Sequence, residues 1–270
     1  MKRSILFGAT LLIALYCLVP FLWFVLTSWK TPAELTAIPP KIIPSFHWGF
    51  YRSVLTEHRL LGYFTNSIII ACTTTLITVF VGSLPAYALS RFQLRWTKAY
   101  LFSLLAISMF PQIAIAGPVW TLLDYLGWLN SYTGLVAAYI ALSLPLGIWI
   151  LTIFFADVPA EIEEAALIDG CNRLQALYRV VLPLAAPGIA TAALLIFIQA
   201  WNEFFFALII LTDPNRQPLS VGIALFPGEY TMPWGEIAAA STLATLPLIL
   251  LTLVFQRGIV RGLSAGALKG

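Results

Sequence analysis

Six long apolar stretches, separated by short charged segments, make up most of this 270-residue sequence. The first lies between Arg3 and Lys30, where no charged residue interrupts the chain. A helix needs about 20 mostly apolar residues to cross the hydrocarbon core of a bilayer. This stretch is longer than the apolar part of a secretion signal and no small-residue cleavage site follows it. We therefore expect it to be retained as a spanning helix.

The six stretches predict an all-α integral membrane protein with six transmembrane helices. Composition agrees, because 60% of the residues are hydrophobic and only 10% are charged, whereas a soluble domain of this size needs a more polar surface. The net charge of +3 is too small to suggest nucleic-acid binding. The predicted spans are residues 5–28, 66–89, 99–123, 133–156, 187–211 and 236–256.

The distribution of basic residues predicts the orientation of the chain. Lys and Arg are enriched in the short cytoplasmic loops of membrane proteins. With both ends inside, the cytoplasmic segments hold ten Lys and Arg residues and the outer segments hold five, and loop 91–98 alone carries three. We therefore predict an N-in, C-in topology. Segments 30–65 and 212–235 would lie outside and segment 157–183 inside.

Segment 157–183, which we call the elbow, is unusually charged for this chain. Its first residues, Asp157-Val158-Pro159, predict a helix start with a capping Asp and a Pro in the first turn. Gly170 predicts that this helix ends in a left-handed turn. Asn172, followed three residues later by Gln, resembles the capping box of a second helix. We expect Pro183 to end that second helix.

The elbow has two interpretations from its residues alone. We expect the second helix to present one apolar face, made of Leu174, Leu177, Tyr178 and Val181. A rigid helix–turn–helix that is polar on one side suits docking against a soluble partner, and the small pair Ala165-Ala166 would let that partner approach closely. An ordinary interfacial helix pair with a solvated acidic face fits the same residues equally well.

The elbow also resembles the EAA loop of ABC importer permeases. The residues that carry the resemblance are Glu164-Ala165-Ala166, Asp169-Gly170, Leu182-Pro183 and Pro187. Cys171 stands where Ala is more usual in that family. In the family, this loop forms the coupling helix that docks on the ATP-hydrolysing subunit. The resemblance thus implies an ATPase-coupling role for Glu163, Glu164, Ala165, Ala166, Asp169, Gly170 and Pro183.

Other segments resemble the carbohydrate-uptake branch of these permeases. They are Asn66-Ser67, residues 86–92, Trp201-Asn202-Glu203-Phe204 and residues 262–270, the last similar to the end of the smaller maltose-importer permease. The resemblance implies the type I ABC importer permease fold in a bacterial or archaeal cytoplasmic membrane. It also implies a second permease subunit, two ATP-binding subunits and an extracytoplasmic sugar-binding protein. The substrate would be a disaccharide or glycoside of the trehalose or maltose type.

A domain division follows from the same segments. Residues 1–65 would form the first helix and an outer loop, residues 66–257 the permease core with the elbow, and residues 258–270 a cytoplasmic tail. The small residues of that tail suit close approach to a partner, and a flexible end is the other interpretation.

The chain lacks the motifs of an enzyme that uses nucleotides or metals. No Gly precedes any of its five Lys residues, so the phosphate-binding loop is absent and the energy for transport would come from a partner or an ion gradient. The stretch Gly262-Leu263-Ser264-Ala265-Gly266 matches a hydrolase motif without its strand context, and both His residues lie in the predicted outer loop. We expect no cofactor or metal in this chain, with ATP and Mg bound by the partner ATPase.

Glu203 is the only acid in the interior of a predicted span, and such residues are functional candidates because their burial is costly. Amides and carboxylates bind sugar hydroxyl groups, and aromatic rings stack on sugar rings. The substrate-pathway candidates are therefore Gln112, Gln199, Trp201, Asn202 and Glu203. For Glu203, a structural or gating role is the alternative, and for Gln112, beside the helix-breaking Pro111, it is simple packing.

In relatives, the loop before the last span reaches toward the binding protein, which suggests contacts at Gly228, Glu229, Tyr230 and Trp234.

Three other functions remain open at this stage. A self-sufficient secondary transporter should show inverted repeats and paired charges inside its spans, and neither is evident. A membrane-embedded enzyme would need intramembrane catalytic groups such as a Ser–His pair. An ABC permease for amino acids, peptides or phosphate would have the same elbow, but the sugar-branch segments speak against it.

Overall fold

All regular elements of the described residues are helices. The computed structural model describes the chain apart from residues 1, 93–94, 227–231 and 268–270, and it describes side chains for residues 6–92, 95–226 and 232–256. The helices are α1 Lys2–Ser28, α2 Pro32–Leu35, α3 Gly49–Thr56, α4 Leu60–Arg91, α5 Thr97–Ser108, α6 Gln112–Tyr125, α7 Tyr132–Ala156, α8 Ala160–Ile168, α9 Arg173–Ala176, a π-helical turn Leu177–Val181, α10 Leu182–Leu184, α11 Ala186–Asn202, α12 Phe205–Ile210, α13 Leu219–Ala224 and α14 Trp234–Ala267.

Within the described residues, four helices are long and apolar enough to cross a membrane. They are Leu6–Ser28, Leu60–Arg91, Tyr132–Ala156 and Trp234–Gln256. Two further candidates are bent pairs, Thr97–Ser108 with Gln112–Tyr125 at 87° and Arg173–Leu184 with Ala186–Asn202 at 81°. The count is six if each bent pair is one span, which agrees with the number predicted from the sequence.

Two predicted spans differ from the structure because their helices are broken. The third is interrupted before Gln112, where Pro111 is extended (φ −60°, ψ 121°) and cannot donate a backbone hydrogen bond. The fifth, predicted as one helix over 187–211, ends at Asn202 and restarts at Phe205. The spans were predicted from the number of apolar residues in a stretch of sequence, and such a count does not detect a local break in the helix.

The chain divides into two compact units. The first comprises residues 1–64 with 221–247, and the second comprises residues 65–220 with 248–270. The sequence-based division at residues 65 and 257 stays a prediction.

A capping box in the first unit organises the segment after α1. Thr31 and Glu34 cap each other at the start of α2. The Glu34 carboxylate also accepts hydrogen bonds from the Ser45 hydroxyl at 2.5 Å and the Ser45 amide at 3.3 Å. The pKa of Glu34 is lowered from 4.5 to about 2, mainly by the hydrogen bond from the Ser45 hydroxyl and next by the one from the Thr31 amide. Lys41 Nζ lies 3.3 Å from the same carboxylate.

The second unit has an apolar core that extends from the spans into the elbow. α7 packs against α5, α11 and α12. One core cluster joins Tyr87 of α4 and Phe155 of α7 with three elbow residues, Val158, Leu177 and Val181, all buried. The elbow is therefore packed onto the ends of the spans and is not a free loop.

Hydrogen bonds near the start of α4 connect this helix to a later segment of the same unit. The Asn66 amide donates to the carbonyl oxygens of Asn215 at 2.9 Å and Gln217 at 2.8 Å. The Ser67 hydroxyl accepts the amide proton of Leu219 at 2.7 Å. The Asn66-Ser67 pair, noted in the sequence for its family resemblance, thus fixes the segment before α13 to α4.

Close packing between α11 and α7 gives a testable prediction. A Cβ atom added at Gly188 would collide with the Phe154 ring, whereas one at Gly117 would meet nothing within 4 Å. We expect Gly188→Ala to lower the free energy of unfolding by about 1–3 kcal/mol through overpacking. Gly117→Ala is the matched control, with an unchanged or slightly raised melting temperature. Equal melting temperatures for the two variants would contradict this packing.

The Glu34 carboxylate gives a pH-dependent prediction. Because its pKa is lower in the folded chain, the charged form stabilises segment 31–47 above about pH 4.5, and that stabilisation is lost as the pH falls toward 2. We expect Glu34→Gln to speed amide hydrogen exchange of this segment at pH 7 and to have little effect near pH 2. Lys41→Gln is the control, because the Lys41 side chain is 58% exposed and an ion pair so open to solvent contributes little. A Glu34→Gln effect that does not depend on pH would contradict this account.

Candidate functional site

The elbow is a short helix, a glycine turn and a second helix, as predicted. Gly170 has φ +90°, a left-handed conformation that residues with side chains adopt only with strain. Asn172 and Gln175 form the predicted capping box, with the Asn172 side chain accepting from the Gln175 amide at 2.8 Å. The Gln175 side chain accepts from the Asn172 amide at 2.9 Å. The turn is therefore held by its own side chains.

The predicted start of the first elbow helix was wrong. Asp157 is the C-cap of α7, with its amide bonded to the Ile153 carbonyl oxygen. The N-cap of α8 is Pro159, which makes no side-chain capping bond. The reason is that α7 continues to the elbow almost without a linker, and only buried Val158 separates the cap of one helix from the next.

The predicted end and apolar face of the second elbow helix also need correction. Pro183 does not end it, because the π-helical turn Leu177–Val181 is followed by helix α10, which contains Pro183. Leu177 and Val181 are buried as expected, whereas Leu174 and Tyr178 are exposed. The wider π turn rotates the chain, so the 3.6-residue periodicity used for the prediction does not hold here.

The outer face of the elbow carries most of the predicted coupling residues. Glu164, Ala165, Asp169, Gly170 and Pro183 are exposed, and Ala166 is half-buried. Ile168, which lies among them, is 86% exposed. A surface that combines acidic groups, small residues and one protruding apolar side chain can bind a partner that offers basic groups around an apolar pocket.

Glu163 is placed differently, because its side chain turns inward. It is only 3% exposed and lies 2.6 Å from Arg91 Nε and 3.1 Å from Arg173 Nη1. The Tyr87 hydroxyl donates to the same carboxylate. Arg91 Nε and Glu163 Oε2 make no well-aligned hydrogen bond among the described residues, so their contact is an ion pair. We call this group of four side chains the anchor cluster.

The anchor cluster satisfies a charge that is costly to bury. The Arg91 side chain is 8% exposed, so this ion pair is shielded from water, whereas Arg173 is 55% exposed. Removing one member of such a buried pair typically costs about 3–5 kcal/mol, because the remaining charge is left without compensation. Arg173 also lies over the Phe92 ring, with 5.6 Å between its Cζ and the ring centroid.

The sequence reasoning did not find this cluster, although a signal for it exists. Residues three and four positions after Glu163 on a helix are Ala166 and Leu167, and both are half-buried. Glu163 therefore shares the inward face of α8. An acid on the inward face of a charged helix needs a basic partner, and Arg91 at the end of the second span was available to supply it.

A second candidate site is a cavity of about 380 Å³ bordered by α5, α6, α7, α11 and α12. Its walls are mostly apolar and include Trp128 and Phe206, and two of the predicted pathway residues, Gln112 and Gln199, also line it. Gln199 Oε1 is buried and has no hydrogen-bond partner among the described residues. The cavity thus brings together two amide groups and aromatic rings, which are the groups that bind sugars.

The other pathway candidates do not line this cavity. The Trp201 ring is buried and stacks on Phe197, with 5.5 Å between the ring centroids. The Asn202 side chain is exposed and donates to the Ile198 carbonyl oxygen at 2.8 Å. Within this chain, Trp201 therefore has a packing role at the end of α11.

Glu203 caps the helix that follows the break in the fifth span. Its carboxylate accepts the amide protons of Phe206 at 2.9 Å and Ala207 at 3.2 Å. Its backbone carbonyl oxygen accepts from the Ser220 hydroxyl at 2.7 Å. These bonds support the structural alternative for Glu203 over direct contact with a sugar.

The predicted contacts with a binding protein are only partly visible. Trp234, the first residue of α14, is 57% exposed. Gly228, Glu229 and Tyr230 lie outside the described residues.

The capping role of Glu203 predicts the effect of its substitution. We expect Glu203→Gln to keep most of the stability, because the amide oxygen of Gln still accepts one backbone bond, whereas Glu203→Ala should cost about 0.5–2 kcal/mol. Thermal unfolding of the purified chain measures both variants. A large loss of transport in Glu203→Gln at unchanged stability would instead assign the charge a role in the transport pathway.

The fold and the sequence both have close counterparts among known proteins. One subunit of a bacterial ABC transporter involved in the import of the acidic polysaccharide alginate superimposes with a TM-score of 0.78 at 24% identity, covering 95% of this chain and 94% of that one. This likeness shows that the chain has the fold of an ABC importer permease.

Several sequence relatives are named as permease proteins of transport systems. The trehalose/maltose transport system permease protein MalG of Thermococcus litoralis is 42% identical, covering 100% of this chain and 98% of the relative. The sulfoquinovosyl glycerol transport system permease protein SmoH of Agrobacterium fabrum is 39% identical over 94% of this chain and 89% of the relative. The trehalose transport system permease protein SugB of Mycobacterium tuberculosis is 38% identical over 94% and 93%. Residues 78–265 match the family described as the binding-protein-dependent transport system inner membrane component, and the chain belongs to that family.

Proposed function

We propose that this chain is one permease subunit of an ATP-driven importer that moves a sugar across the cytoplasmic membrane of a bacterium or archaeon. The observation that carries the proposal is the elbow, a rigid and partly acidic helix–turn–helix packed onto the ends of the spans. Membership of a family of inner membrane transport components supports it. The expected topology places the elbow on the cytoplasmic side, where ATP is available.

The elbow would transmit the energy of ATP hydrolysis from a separate subunit. Its exposed residues Glu164, Ala165, Asp169 and Gly170, with half-buried Ala166, form the docking face. Because the elbow packs into the core of the spans, force applied to that face reaches the membrane helices directly. As the two ATPase copies close, the spans would rock against those of a second permease and alternate the access to the sugar.

The partners follow from what this chain lacks. ATP and Mg would be bound, and ATP hydrolysed, by the two copies of the ATPase subunit, since this sequence has no phosphate-binding loop. A second permease subunit would complete the pathway, and an extracytoplasmic sugar-binding protein would deliver the substrate. This chain would therefore act as a transport component and not as an enzyme.

We further propose that the substrate is a disaccharide or glycoside. Three relatives are named for the transport of trehalose or maltose, of sulfoquinovosyl glycerol and of trehalose. Gln112 and Gln199, which share a cavity of about 380 Å³, are the side chains of this chain best placed to bond a sugar hydroxyl group. Trp128 in the same cavity offers a ring for stacking.

Reversal of one charge on the docking face tests the coupling role. We expect Glu164→Lys to weaken binding of the ATP-hydrolysing subunit roughly 30-fold, the effect of removing about 2 kcal/mol at an interface. The measurement is the amount of ATPase retained by the detergent-purified permease pair. Glu57→Lys, an equal charge reversal at the end of α3, is the control. Unchanged ATPase binding in Glu164→Lys would contradict the docking face.

A further inference from the structure

We propose that Glu163 is a positioning residue, whose carboxylate makes the docking helix α8 move together with α4 during transport. This inference rests on the proposed function, since it takes the elbow as the surface that receives the motion of the ATPase. The role is distinct from docking, because the Glu163 side chain faces the interior of its own chain and not a partner.

Helix α8 has little other buried attachment through its side chains. Glu163 is the only buried residue of Ala160–Ile168. In contrast, the second half of the elbow contributes buried Ala176, Leu177 and Val181. Ala166 and Leu167 are half-buried, so the one fully buried side-chain connection between the docking helix and the membrane core is this carboxylate.

The Glu163 carboxylate connects three segments of the chain, namely its own helix α8, α4 and α9. From α4, Arg91 Nε approaches to 2.6 Å and the Tyr87 hydroxyl donates a hydrogen bond. From α9, Arg173 Nη1 donates at 3.1 Å. Both carboxylate oxygens are engaged, so rotation of α8 about its axis would separate Glu163 from at least one partner.

Stability alone does not explain why an ionic contact is present at this position. A buried ion pair is a poor source of stability, because apolar side chains of similar volume often stabilise a core as well or better. What directional ionic contacts can add is a defined register between the two elements they join. Apolar packing elsewhere in the elbow tolerates small sliding movements, whereas the anchor cluster specifies one position of α8 on α4.

The test measures the distance between α8 and α4 in the assembled complex. Spin labels would be placed at Glu161 on α8 and Leu84 on α4, both exposed, after replacement of the native cysteines. Pulsed electron paramagnetic resonance would record the distribution of distances between the two labels, first without nucleotide and then with ATP trapped in the complex. We expect one narrow distribution in both states, because the two helices move as one body.

Glu163→Gln should at least double the width of this distribution, or shift its mean between the two states, while the ATP-hydrolysing subunit still co-purifies. A residue with only a stabilising role would lower the yield of folded complex and leave the distribution of the folded fraction narrow. That result, or an unchanged distribution at full yield, would overturn the proposal. If Glu163→Gln does not fold, Tyr87→Phe and Arg91→Lys decide the matter in the same way, because each weakens one contact only.

Glu164→Gln separates this inference from the proposed function. It lies on the docking face, so it should reduce ATPase binding and leave the α8–α4 distance distribution narrow. If the unmodified chain binds no ATPase, the proposed function fails. The width of the distribution in Glu163→Gln, measured on the chain alone, would still support or overturn the anchor.

Discussion

Backbone amide and carbonyl groups within a bilayer have no water to bond to, so the chain itself must satisfy them wherever a spanning helix breaks. The fifth span shows how this is done, since Glu203 accepts the first free amide protons of α12. Near the start of α4, the Asn66 side-chain amide donates hydrogen bonds to two carbonyl oxygens of the segment before α13. Helix breaks satisfied in this way keep their hydrogen bonds, so the spans can border a cavity without unfolding.

Four acidic residues of this chain divide into two pairs with different tasks. Glu203 and Glu163 are engaged by groups of the same chain, one at a helix end and the other in the anchor cluster. Glu164 and Asp169 are exposed on the elbow. The first pair fixes the shape of the protein, and the second pair is free to meet a partner. A docking surface can transmit force only if its base is fixed, so the two tasks depend on each other.

The sequence predicted the helical class, the turn at Gly170 and, if each bent pair is one span, the number of spans, because each depends on local patterns of hydrophobicity or backbone conformation. It placed the starts and ends of the elbow helices wrongly at Asp157 and Pro183, since Asp157 ends α7 and Pro183 lies inside α10, which continues from the π-helical turn. The anchor cluster joins residues 87 and 91 to residue 163. Contacts at such separation depend on tertiary packing, and the local pattern of α8 indicates only that Glu163 faces inward, not which residues it meets.

In our proposal, the elbow holds this chain in a complex driven by a separate ATPase. Native mass spectrometry of the chain, purified in mild detergent after expression with its genomic neighbours, tests it most directly. We predict one assembly that contains one copy of this 29.7 kDa chain, one second permease and two copies of an ATP-hydrolysing subunit. A chain that stays alone, yet transports a solute in vesicles energised only by an ion gradient, would contradict the claim.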